Sequence, residues 1–324
     1  MERSRTFWQR RKVLVAGGTG FLGSHIMARL KTLGAVAHSC SRASGCDLRA
    51  FEQAAAHFSV IKPDVVINCA ANQGGLAYHK AFPATIFYDN LLIGLNAMEA
   101  ARITGVGKYV NILSACAYPG EPKDGILREA EFEAGPMHST VDHFGATKRA
   151  ALMQAKCYAS QYAFNAISLL LVNMYGPGED FHPDRSHALA ALVRKFYEAK
   201  ESGAGAVTLW GTGRAVREWL YVEDAAEGVL RAVERHHGSE PLNLGVGSGC
   251  TITELAEVVR RIVGYRGKIV YDDSKPDGAM LRVADIAKMR STLDWEPQTA
   301  IETGIRRTID WFVEHRQAPI LMEV

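Results

Sequence analysis

Val13-Leu14-Val15-Ala16-Gly17-Gly18-Thr19-Gly20-Phe21-Leu22-Gly23 decides how the rest of the chain is read. The first four residues form a short apolar run and read as a buried strand. Glycines at 17, 20 and 23 follow at GxxGxxG spacing. Glycine permits the tight turn and lets the backbone come close to a bound anion. From about Gly20 to Leu33 the pattern is helical. The start of that helix offers free N–H groups and the positive end of a dipole. A glycine motif alone is weak. With a strand before it and a helix after it, it reads as a dinucleotide-binding turn. Gly17, Thr19, Gly20, Phe21, Leu22 and Gly23 are its candidate contacts with the cofactor.

Outward from this turn, short apolar runs alternate with helical patterns. Ala35–Ala37, Asp64–Asn68, Tyr109–Leu113 and Ala166–Val172 read as strands. Ala84–Arg102 and Asp142–Tyr162 read as long helices. This alternation predicts an α/β chain of Rossmann type, with a doubly wound parallel sheet covered on both faces. After Tyr175-Gly176-Pro177-Gly178 the pattern changes. A helix over Ser186–Ala199, a strand over Ala206–Trp210, a helix over Glu223–Arg235 and a strand over Leu242–Leu244 follow. Thr251 with Glu254 three residues on is a capping box opening a helix to Val263. The expected division is a dinucleotide domain over 10–173, with returning segments near 215–247. A smaller substrate lobe takes most of 174–324.

Composition narrows the classes. The chain has 324 residues, 48% hydrophobic and 22% charged, enough to bury a core without staples. A net charge of +2 gives no field for nucleic acid or anionic membranes, and neither is expected as a partner. The basic cluster Arg3, Arg5, Arg10, Arg11 and Lys12 reads as a solvated leader. No apolar stretch follows it that would serve as a signal core or membrane span, so the cytoplasm is expected. Six cysteines, none in a CxxC pair, read as reduced thiols. The scattered histidines lack a zinc spacing, and no metal is expected.

The end of the second strand selects the cofactor. A carboxylate there would hold the ribose 2′-hydroxyl of NAD. The stretch is instead His38-Ser39-Cys40-Ser41-Arg42. Ser41 and Arg42 suit a 2′-phosphate, so NADP (NADPH) is expected over NAD. Asp47 and Leu48 are expected beside the adenine. Ala70 and Ala71, after the next strand, are expected to line the cofactor. Asn72 falls toward its nicotinamide end.

The glycine motif, the Ser114 region and Lys148 together resemble the extended short-chain dehydrogenase/reductase family. The likeness covers nearly the whole chain. It is sharpest to the members that epimerise and reduce GDP-4-keto-6-deoxy sugars. The segments that carry it are Ser114-Ala115-Cys116-Ala117-Tyr118-Pro119, Met174-Tyr175-Gly176-Pro177, Phe181-His182-Pro183 with Ser186-His187, Trp210-Gly211-Thr212-Gly213, Arg217-Glu218-Trp219-Leu220 and Ser274-Lys275-Pro276-Asp277-Gly278. The resemblance implies that Ser114 hydrogen-bonds the keto oxygen of a GDP-linked keto-deoxy sugar. It implies that Cys116 and His187 are the acid/base pair of epimerisation. Lys148 is implied to hold the nicotinamide ribose, and Asn173, Arg194, Trp210, Arg217 and Arg282 to contact the nucleotide sugar. It also implies a homodimer built on the two long helices. The chemistry is consistent: a proton beside a ketone becomes acidic once the enolate oxygen is stabilised, and a thiol and an imidazole both exchange protons near neutrality.

One residue departs from the pattern. The family places a tyrosine four residues before its lysine, and here Phe144 stands four before Lys148. Phenylalanine keeps the ring and loses the phenolic proton, and loss of a positioned acid costs about 10²–10⁴-fold. Three explanations stay open. The residue is an engineered replacement, or Ser114, His143 or a water donates instead, or reduction has been dropped and epimerisation kept. A catalytically silent sensor of dinucleotide or sugar nucleotide is the non-enzymatic alternative.

Overall fold

The computed structural model describes residues 6–275 and 277–316. The residues Arg3, Arg5 and Pro276 of the motifs above lie outside them. In chain order the first half runs β1 (Lys12–Ala16), α1 (Phe21–Thr32), β2 (Val36–Cys40), α2 (Phe51–Ile61), β3 (Val65–Asn68), α3 (Leu76–Ala81), α4 (Pro83–Ile103), β4 (Lys108–Ser114), β5 (Ile126–Leu127), α5 (Asp142–Tyr162) and β6 (Ala166–Leu171). The second half runs β7 (Asn173–Tyr175), α6 (Ala188–Glu201), β8 (Ala206–Trp210), β9 (Val216–Arg217), β10 (Trp219–Tyr221), α7 (Val222–Arg235), β11 (Leu242–Leu244), β12 (Cys250–Thr251), α8 (Ile252–Val263), β13 (Lys268–Asp272), β14 (Leu281–Ala284), α9 (Ala287–Leu293) and α10 (Ile301–His315).

Six strands form one sheet in the order β2-β1-β3-β4-β6-β11, every pair parallel. β3 and β6 are buried along their whole length, as strands covered on both faces must be. The predicted Rossmann-type sheet is present. The strand order reverses between β1 and β3, which opens a crevice beyond their carboxyl ends. Gly17 and Ala70 lie at that opening.

Two large apolar cores tie the halves of the molecule together, while a third, with Leu14, Val66, Met98 and Tyr109, fills the other face of the sheet. Val13, Val15, Ile26, Val110, Ile167, Val229 and Leu244 belong to the core on one face of the sheet, to which α7 and β11 contribute from the second half. The second core holds Tyr175, Phe181, Phe196, Trp219, Tyr221 and Phe312, packed among α6, α8 and α10. Small sheets join segments distant in sequence. Arg217 of β9 and Arg282 of β14 are partners in parallel register, and β14 also pairs with β5.

The helix expected over Ser186–Ala199 starts two residues later. Ser186 N–H bonds back to the His182 carbonyl in a turn. His187 then caps the helix with an extended backbone, φ −73° and ψ 170°. One expectation is overturned. Cys40 and Cys46 are joined as a disulfide, six residues apart and 5.7 Å between Cα atoms. The short turn after β2 folds Cys46 back onto Cys40, which linear spacing without a CxxC motif does not reveal.

Candidate active site

The glycine turn is tight for a physical reason. Gly17 has φ +72°, and a Cβ there would stand 2.9 Å from Ala70 Cα. A Cβ on Gly23 would collide with the Gly17 carbonyl. Only glycine lets β1, α1 and the end of β3 come this close. The first turn of α1 carries no acidic residue and no side-chain cap. Its orphan N–H groups and dipole are therefore available to an anion. A dinucleotide diphosphate fits this cradle.

At the end of β2, Ser41 caps a short turn by accepting the Ser44 N–H. Arg42 is exposed on that turn, beside the joined Cys40 and Cys46. The stretch His38–Arg42 itself carries no carboxylate, and Asp47 lies near enough for the Arg42 charge to act on it. His57 approaches the two sulfurs, and the three side chains bring their ligand atoms within 4.8 Å of one another. Leu48 is buried. Asp47 is tied to Arg49 at 2.7 Å, and that guanidinium holds its carboxyl below the usual range. Arg49 also reaches Asp89 at 3.3 Å. The Asp47 carboxylate is thus largely spent on Arg49.

The second cluster sits where β4 ends and α5 begins. Ser114 Oγ accepts the Cys116 N–H at 3.2 Å, which leaves its own hydroxyl proton free to donate. Lys148 donates to the Ile112 carbonyl at 3.0 Å. Burial lowers its pKa to about 8, against the opposing pull of Cys69 and Cys116. Cys69 is pushed up to about 12 by burial, so it stays a thiol. Phe144 is buried, with the Lys148 ammonium 5.1 Å from its ring centre. Gly145 packs against the Cys116 carbonyl. These contacts bring Ser114, Cys116, Phe144 and Lys148 together.

His187 comes from the second half and reaches this cluster by way of His79. Gln73 Nε2 lies 3.5 Å from His187 Nε2, and the buried Glu179 lies 3.6 Å from His187 Nδ1. The loop carrying Gln73 leads to His79, whose ring packs edge-on against Phe144 at 5.7 Å. His79 Nδ1 is 3.0 Å from His143 Nε2. Burial, with His143 and His187 nearby, lowers the His79 pKa to about 4, so it is neutral at physiological pH. Asn72 is committed to structure: its amide donates to Asp89 and accepts from Tyr78.

The expected sugar-nucleotide residues divide. Trp210 is 66% exposed at the end of β8, a free aromatic face. Asp277 binds Thr212 just beyond it. Arg217 donates to the Val216 and Asp277 carbonyls. Arg282 donates to the carbonyls of Ala115, Pro119 and Gly120. It therefore braces the Ser114–Gly120 loop, a task that its expected diphosphate contact did not include. Asn173 donates to the Glu218 carbonyl at 3.1 Å. Arg194 pairs with Glu198 at 3.1 Å, one turn along its own helix.

Residues 13–245 match the family model described as "NAD dependent epimerase/dehydratase family". The chain belongs to that family. Among its relatives, Probable GDP-L-fucose synthase 1 of Oryza sativa subsp. japonica is 38% identical over 305 residues, covering 94% of this chain and 92% of the relative. A GDP-6-OMe-4-keto-L-xylo-heptose reductase from C. jejuni superposes with TM-score 0.88 at 27% identity, over 94% of this chain and 98% of that one. A GDP-L-fucose synthetase from Naegleria fowleri bound to NADP gives 0.87 at 25% identity, over 96% of each chain. Three side chains of this family member escaped the sequence reading: Gln73, His79 and Glu179. Nothing in the local sequence separates a carboxyl buried behind a histidine from one solvated in a loop.

Proposed function

We propose that this family member is an NADP-dependent epimerase/reductase of a GDP-linked 4-keto-6-deoxy sugar or a close relative, working as a cytoplasmic homodimer. What supports it most is the chain of neighbours that runs from Lys148 over the Phe144 ring to His79, and from His79 to His187. Ser114 and Cys116 stand at the start of that chain and His187 at its end. The relatives named above are GDP-L-fucose synthases and a GDP-heptose reductase, which agrees with the sugar-nucleotide class. Residues 10–173, with the returning segments near 215–247, serve the cofactor, and most of 174–324 serves the sugar nucleotide.

Gly17, Thr19, Gly20 and the α1 amino terminus hold the cofactor diphosphate, with Phe21, Leu22, Gly23, Ala70 and Ala71 around it. Ser41 and Arg42 receive the 2′-phosphate, Asp47 and Leu48 border the adenine, and Lys148 holds the nicotinamide ribose. Bound NADPH supplies the hydride for C4. The chain's own residues perform the proton chemistry. Ser114 donates to the keto oxygen and stabilises the enolate. Cys116 and His187 remove and return the neighbouring protons on opposite faces. Trp210, Arg217 and Asn173 border the nucleotide sugar, and Arg194 stands farther along α6. Phe144 brings no proton to the C4 oxygen, so the reductive half is slow.

Deuterium uptake by GDP-4-keto-6-deoxymannose in heavy water, with NADPH present, tests this directly. Exchange beside the keto group with little reduced product is expected. No exchange at any carbon would overturn the assignment, the substrate being a different one or the site silent. The buried, hydroxyl-free Phe144 ring favours a second reading, an epimerase without net reduction. Multi-turnover consumption of NADPH would exclude that reading.

A further inference from the structure

We propose that Glu179 is the positioning residue of His187, forming a carboxylate–imidazole pair that fixes the ring's tautomer and sets its basicity. This rests on the reading of His187 as an epimerisation acid/base.

Three observations converge. Glu179 follows the Gly176-Pro177-Gly178 turn, which aims its side chain into the protein, where it is 2% exposed. Neither carboxyl oxygen makes a hydrogen bond among the described residues. Among the described residues, the basic side chain within 4.0 Å of it is His187, with Nδ1 at 3.6 Å from Oε1. A buried carboxyl without a partner is costly, and a fold that keeps one is using it. Burial raises the Glu179 pKa, and the adjacent His187 pulls it back down. Catalytic hydrogen bonds are often long before substrate arrives, so 3.6 Å is within the distance that closure removes.

His187 is arranged to match. Its side chain is 43% exposed, while Nδ1 lies 3.6 Å from the buried carboxyl. A carboxylate at Nδ1 holds the proton there and leaves Nε2, on the Gln73 side, to exchange with substrate. The other titratable groups around the pair are few. Asp180 adjoins Glu179 and is itself paired with Arg185 at 3.0 Å. His79, backed by His143, lies on α3 close enough for His187 to help lower its pKa. None of these faces Nδ1 as Glu179 does.

The test compares wild type, H187N, E179Q and E179D by epimer formation from GDP-4-keto-6-deoxymannose over a range of pH. Titration of the His187 imidazole by NMR reads the pairing without activity. NADPH affinity reports that each variant is folded. E179Q is expected to slow epimer formation about ten- to a hundredfold, with unchanged NADPH affinity. His187 is expected to titrate lower in E179Q than in wild type, because the carboxylate that favours its charged form is gone. E179D, which keeps the charge, recovers part of both. Wild-type rates and an unmoved His187 titration in E179Q, with H187N inactive, would overturn the proposal and leave the reading of His187 standing. Full activity in H187N would instead remove the acid/base role, and with it the catalytic half of the pairing.

Discussion

Two residues carry the strongest local predictions. Phe144 occupies a buried site with the Lys148 ammonium over its ring, four residues before that lysine, where the family carries a tyrosine. F144Y is expected to raise NADPH-dependent reduction by about 10²–10⁴-fold, with epimerisation unchanged. Absorbance at the nicotinamide band and product NMR follow the two steps separately, and an unchanged reduction rate would count against a missing phenol. Arg282 is the second case. It donates to three carbonyls of the Ser114–Gly120 loop, and R282A removes that donor from each, with Ala115 keeping the Tyr118 N–H. That costs about 1–3 kcal/mol and lets Ser114 and Cys116 drift. Slower deuterium exchange should accompany the lower melting temperature. At this scale the sequence was readable wherever backbone geometry dictates residue type. Gly17, Gly20 and Gly23 announce a cradle because no side chain fits. Arg282 was legible as a cation and not as a brace, because its partners are backbone oxygens some 160 residues away.

At the scale of elements, what was legible is the periodicity. α5 over Asp142–Tyr162, β8 over Ala206–Trp210 and β11 over Leu242–Leu244 fall where the apolar pattern puts them. So does the capping box of Thr251 and Glu254, with both reciprocal bonds formed. The α6 start was displaced because His187 keeps an extended backbone that no propensity encodes. The Cys40–Cys46 contact was missed for a similar reason, since a three-residue helical turn is too short to show a period. One element carries its own pH test. Lys108, at the start of β4, is buried and donates to the Val233 and His236 carbonyls, closing the carboxyl end of α7. Burial lowers its pKa to about 8, whereas an unfolded lysine titrates near ~10.4. Between those values the unfolded chain holds the proton and the folded chain does not. Stability therefore rises with pH across that window, and is flat for this group below it. Lys148, shifted to the same range, adds a similar slope. K108M should remove one of the two contributions, which denaturant melts at pH 7.5, 9 and 10.5 would reveal. A variant with the full wild-type slope would contradict the assignment.

For the whole molecule the question is what covers α4 and α5. The two helices pack together, with Gln154 donating to the Leu95 carbonyl and the Arg102 guanidinium 4.4 Å from the centre of the Tyr162 ring. Their outer faces leave large apolar side chains in water: Phe87 at 40%, Tyr88 at 64%, Met153 at 51% and Tyr162 at 46% exposed. Scattered singly, such residues would need no explanation. Carried on two adjoining helices, they agree with the homodimer proposed above, which would cover them. The expected four-helix dimer would bury them, and a stable interface of this kind needs about 800 Å² per partner. The same helices carry the site. α5 presents Phe144 and Lys148, and α4 presents Asp89 and Asn90, which hold Asn72 and the loop leading to Gln73. Association would therefore stiffen the two elements on which the chemistry depends. Light scattering of the wild type should give twice the 35.4 kDa chain mass. Tyr88→Glu with Met153→Glu places two charges in that surface and should yield a monomer with unchanged helical content. The monomer should exchange deuterium more slowly, because α4 and α5 lose their shared support. A wild type that runs as a monomer would remove the dimer from this account and leave the apolar face to another partner. A monomeric variant with full activity would keep the dimer and separate it from catalysis.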